Sequence, residues 1–142
     1  MSDVRIDLRA YLAGNAQLSA LVGTRVYVGY AEQDAPRPYL VLHMISGGHE
    51  HDLDGGAGFA VPRIQINCVA DEPIAAGNLS DVLREQMAGF VGAWNGREIG
   101  VALLDDETDL PDTPQDGSDR PRSAIAHDYL VWHKESVTAP TA

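Results

Sequence analysis

What this chain has little of narrows its class before any motif is read. It holds one cysteine, Cys68, in 142 residues. A single thiol makes neither an intrachain disulfide nor a thiolate cluster, which excludes stapled secreted scaffolds and zinc fingers and fits a reducing compartment. Basic residues are scarce too, with 10 Lys and Arg against 21 Asp and Glu and a formal net charge of −11. That balance repels phosphate backbones and anionic lipid surfaces, so tight nucleic-acid or membrane binding is not expected. Long hydrophobic runs are missing from the opening MSDVRIDLRAYLAG, where charge recurs every few residues; it reads as neither a signal peptide nor a membrane span. The chain also lacks the GxGxxG and GxxxxGK spacings that cradle phosphate, and the GxSxG elbow that presents a nucleophilic serine.

What is there suffices for one core. The composition is 44% hydrophobic, and 14 Gly and 8 Pro mark frequent turns without reaching a disordered or collagenous class. Residues 1–134 are expected to form one domain, and 135–142, ESVTAPTA, a flexible tail with too little apolar content to be ordered by burial. Charge is local: residues 1–70 carry five bases and seven acids, and residues 71–142 carry five and fourteen.

Apolar spacing predicts an α+β domain with a mainly antiparallel sheet of about five strands, covered by an N-terminal helix and one long central helix. Val4, Leu8, Tyr11 and Leu12 form a helical stripe ended by Gly14, and Asn15 caps a short second turn over 16–22. Val26, Val28 and Tyr30 alternate as a strand, and the prolines at 36 and 38 make 31–38 a rigid connector. Residues 39–46 are apolar on both faces, which predicts a central or interface strand. Asp52 to Gly58 reads as a turn. Ile64, Ile66 and Cys68 alternate with Arg63, Gln65 and Asn67 in a half-solvated strand. The long helix is expected over 73–91, with Leu79, Val82, Leu83, Met87, Phe90 and Val91 on its apolar stripe. Strands over 98–103 and 124–133 complete the sheet, and the acidic run 105–119 reads as a solvated loop.

Four constellations carry possible chemistry. His49, His51, Asp52 and Asp54 in GGHEHDLDGG have metal-ligand side chains, but with no distant third and fourth ligand evident a polar hairpin turn is the favoured account. His127, Asp128 and His133 with Ser80 or Ser123 resemble a triad on paper; strand alternation accounts for them, with His127 and His133 as outward or interface histidines on the Tyr129 face. Cys68 sits among inward residues, where a thiol acts as a small hydrophobe. Tyr39, Val41 and Ile45 lie on the strand face that the long helix cannot also cover, so at least one is expected to meet a neighbouring subunit or the N-terminal helix.

In order and spacing these landmarks resemble the phage tail-completion or tail-terminator family, also described as head-to-tail joining or neck proteins. The matching segments are LSALVGTRVYVGYA, APRPYLVLHMISGG, HDLDGGAG, RIQINCVAD, NLSDVLREQMAGF, LLDDETDL and HDYLVWHK, spread over about residues 4–134. The resemblance implies a structural virion protein, assembled in the bacterial host cytoplasm as a ring, commonly a hexamer. Its partners would be its own copies, the tail-tube protein and a head connector or stopper. It implies no catalytic residue and no cofactor. Asp105, Asp106, Glu107, Asp109 and Asp112 then become candidates for an acidic surface at the channel or its rim. The competing readings are a small metal-dependent hydrolase using the His49/His51 turn and a small ligand-binding or antitoxin-like module.

Overall fold

The first two helices begin where a side chain takes up free N–H groups, and the third begins without such a cap. In the computed structural model, which describes residues 3–32, 34–52, 55–112 and 122–134, Asp3 caps α1 (Val4–Gly14) by accepting from the Arg5 N–H at 2.9 Å. Asn15 closes α1 and caps α2 (Ala16–Val22), accepting from Gln17 and Leu18 at 3.1 Å each. α3 (Pro73–Met87) opens with proline in its first turn, where no N–H is needed. The first two helices match their expected bounds. The third ends earlier than the apolar stripe suggested, because Gly89 takes a φ of +75° and turns the chain into a strand. Leu79, Leu83 and Met87 are buried as expected, while Val91 is 69% exposed.

The strands are β1 (Val26–Val28), β2 (Tyr39–Ser46), β3 (His49–Asp52), β4 (Gly55–Ala60), β5 (Arg63–Ala70), β6 (Phe90–Trp94), β7 (Arg97–Asp112) and β8 (Arg122–Lys134). Among the described residues they form one sheet of eight strands, not about five, and three helices cover it. β1 lies parallel to β2 and every other pair is antiparallel. β8 is the hub, with β5 and then β4 along one side and β7 along the other.

Two expected loops turn out to be paired. The Asp52 to Gly58 turn lies largely within the β3–β4 hairpin, whose connecting residues 53–54 fall outside the described set. This hairpin continues the β2–β5 pair past a kink, where Val61 donates to Gly48 at 2.7 Å. Gly48 has a φ of +59°, and a Cβ there would collide with the Val61 carbonyl, so the kink requires glycine. The acidic run is strand as far as Asp112, which pairs with Arg122; residues 113–121 lie outside the described set. A two-residue turn at Asn95 and Gly96, both at positive φ, joins β6 to β7, the geometry that suits the twist of a hairpin.

The main core lies between the sheet and the helices. Leu8, Leu12, Leu18, Leu40, Leu42, Ile64, Ile66, Leu79, Leu83 and Trp94 are all essentially inaccessible there. A smaller cluster on the opposite face joins Tyr39, Val41, Val69 and Ala124, with Tyr27, Ala31, Ala35 and Leu110 packed on it. The expected tail 135–142 lies outside the described residues.

Candidate functional site

Strand alternation on β8 sends His127, Tyr129, Val131 and His133 under the helices, and α3 supplies Ser80 and Arg84 above them. His127 is fully buried, not outward as the sequence suggested. Its Nε2 lies 2.6 Å from Ser80 Oγ and 3.0 Å from Glu107 Oε1. Its Nδ1 lies 2.8 Å from the Tyr129 hydroxyl. Ser80 Oγ also donates to Glu107 Oε1 at 2.8 Å, and Arg84 Nη2 donates to the same oxygen at 2.8 Å. One carboxylate from β7 thus gathers donors from α3 and β8.

The arrangement differs from a nucleophilic triad at a decisive atom. A triad places serine on one ring nitrogen and the acid on the other, so that the imidazole passes a proton away from the acid. Here serine and acid share Nε2, tyrosine holds Nδ1, and Ser80 is 2% exposed. With the proton on Nε2, the ring donates toward Glu107 and Ser80 while Nδ1 accepts from Tyr129, and every group is satisfied with a neutral imidazole. Burial holds His127 below the ordinary histidine value, opposed by the neighbouring Glu107 charge. The Arg84 hydrogen bond, then the Ser80 hydroxyl, holds the Glu107 carboxyl below its usual range. Burial pushes the Tyr129 hydroxyl up. Tyr129→Phe removes the donor to Nδ1 and is expected to cost about 1 to 3 kcal/mol, read from urea midpoints at unchanged m-value.

The remaining candidates are dispersed. Asp128 faces the other side of the sheet, where Arg63 Nη2 reaches it at 3.2 Å and Gln65 Nε2 at 3.1 Å. His133 lies near a second tie, in which Asp7 of α1 accepts from Arg97 Nε at 2.6 Å and Asn95 Nδ2 at 3.1 Å. Ser123 pairs with Ala70 at the far end of β5. Cys68 is fully buried, and burial pushes its thiol up, which makes it inert. The side chains of His49, His51 and Asp52 lie outside the described set, as does Asp54 altogether.

Tyr39 and Val41 are each 6% exposed beneath the chain's own segment at Ala31 and Ala35; Ile45 is 54% exposed. α1 packs on the other side of β2, against the Leu40 and Leu42 face. Asp105 pairs with Arg63 at 2.6 Å and Glu107 with Arg84, whereas Asp106 and Asp109 stand exposed. Asp112 closes β7 opposite Arg122.

The polar clusters described here fasten the protein's own elements to one another. The family model for tail completion protein gp17 matches residues 6–90, more than half of the chain. The protein belongs to that family and is a phage structural tail protein. A solved chain described as "Virion of native gene transfer agent (GTA) particle" shares the fold with a TM-score of 0.69, over 93% of this chain and 92% of its own, at 17% identity. No curated protein matches. Among the described residues, no helix is long and apolar enough to cross a membrane.

Proposed function

We propose that the protein assembles as a homohexameric ring at the head-proximal end of a phage tail tube. There it ends tube growth and joins the tail to the head connector or stopper protein, after assembly in the cytoplasm of the bacterial host. Family membership over residues 6–90 carries this reading, and the fold shared with a virion chain supports it. Of the three expected interface residues, Ile45 is the one left open for a neighbour, while Tyr39 and Val41 shape the strand beneath it. Negative-stain imaging of the purified protein mixed with tail-tube protein is the direct test. Rings of uniform size on one end of tubes that stop growing are expected. Free tube ends beside a monomeric protein would refute the reading, and a stoichiometric bound metal would favour a hydrolase instead.

The acidic surface has a role in the same reading. Asp105, Asp106, Glu107, Asp109 and Asp112 lie along β7, and ion pairs to Arg63 and Arg84 offset two of them. The exposed Asp106 and Asp109 project a repulsive field over about 8 Å at physiological salt, which suits a rim past which DNA slides without being gripped. No gel shift with duplex DNA is expected even at low salt, where electrostatic binding is strongest. A clear shift there would remove the acidic-rim assignment.

A further inference from the structure

The sheet is open at both ends, and the two ends differ in charge. At one end, β1 has β2 on one side and, among the described residues, no strand on the other. Arg25 O accepts from Leu40 and Gly29 N–H donates to Leu42, so by alternation Val26 and Val28 turn their peptide groups to the open side. Val26 is already satisfied, its N–H by Thr24 O and its carbonyl by Arg9 Nε at 2.7 Å. Val28 is not closed off in this way. It opens onto a groove of about 340 Å³ lined by Arg9, Val26, Val28, Glu32 and Tyr30, whose ring is 73% exposed. This end is poor in acids: residues 8–31 contain Arg9 and Arg25 and no carboxylate, within a chain of net charge −11, and Glu32 is the one acid lining the groove.

At the other end, β6 pairs with β7 only as far as Ala102, so β7 from Leu103 onward has no strand on its outer side among the described residues. That edge carries Leu103, 45% exposed, and the exposed Asp106, and residues 98–112 contain no base.

We infer that the outer edge of β7 in one copy adds to the β1 edge of the next, so that the sheet continues from subunit to subunit around the ring. The inference rests on the ring reading above and names its contact. An acidic edge with one apolar side chain fits the Arg9, Tyr30 and open-strand side of the groove, away from Glu32. Because the two surfaces lie at opposite ends of one sheet, the contact is head to tail, the kind that closes a ring. Backbone bonds to Val28 would supply affinity, and Arg9 against Asp106 would fix the register. Asp109, about 10 Å farther along the strand, stays exposed beyond this contact.

The test is a charge exchange read by native mass and negative stain in the presence of tail-tube protein. Arg9→Glu alone and Asp106→Arg alone are each expected to reduce rings at least tenfold, and the double variant to restore them. Tyr30→Asp, at an exposed position that leaves the core untouched, should also abolish rings while melting as wild type does. Should Arg9→Glu unfold the protein, the outcome is decided by Tyr30→Asp together with Asp106→Arg. Rings that persist in both of those, or a folded double variant that fails to recover, would overturn this contact and leave the ring reading standing. Absence of rings from the wild type would overturn both.

Discussion

Replacing Leu83 with alanine is expected to destabilise the protein by about 2 to 5 kcal/mol, the range for deleting a large aliphatic side chain from a packed core. Leu83 is fully buried in the middle of α3, in the same cluster as Leu79, Met87, Ile66 and Tyr129. The helix is held at one end by proline and at the other by Gly89, so it cannot readily slide to fill the space. Urea or thermal unfolding measures the loss. A change below roughly 0.5 kcal/mol is what surface positions show, and it would mean that α3 presents a different face to the sheet.

The apolar stripes of α1 and α3 and the alternation in β2 and β5 were legible because each is a local pattern with one dominant buried face. Local pattern and structure part where a distant partner intervenes. The stripe of α3 runs on through Phe90 and Val91 in sequence, but Gly89 ends the helix and Phe90 pairs with Ala102 instead. In the acidic run, Thr108 and Leu110 pair with Ala126 and Ala124 on β8 while Arg63 and Arg84 offset Asp105 and Glu107. None of those partners is close in sequence, so like charges alone suggested a loop. His127 shares the Tyr129 face, as strand alternation predicts, yet that face is the covered one. Ser80 lies 47 residues away, so no short spacing signals the bond that makes burial of the ring tolerable.

That ring should govern acid stability. In His127→Leu, a side chain of similar bulk fills much of the space but leaves the Tyr129 hydroxyl without its partner, while Ser80 keeps its bond to Glu107. At about 1 to 3 kcal/mol for an unsatisfied buried group, the expected loss near pH 8 is about 1 to 3 kcal/mol. The pH dependence should change as well. Burial lowers the folded value of His127 below its ordinary 6.5, so between those two pH values the unfolded chain binds the extra proton. Stability from this group is therefore complete above about 6.5 and declines as pH falls through the folded value. Glu107, also lowered, by Arg84 and Ser80, adds a further decline as pH falls below about 4.5. A series of melting temperatures from pH 8 to pH 4.5 separates the two groups: the wild type should lose stability steadily below about 6.5, and His127→Leu should show a much flatter profile from a lower starting point. Equal slopes in the two proteins would assign the proton to another histidine, and an unchanged melting temperature at pH 8 would mean that the buried network contributes nothing to holding α3 against β7 and β8.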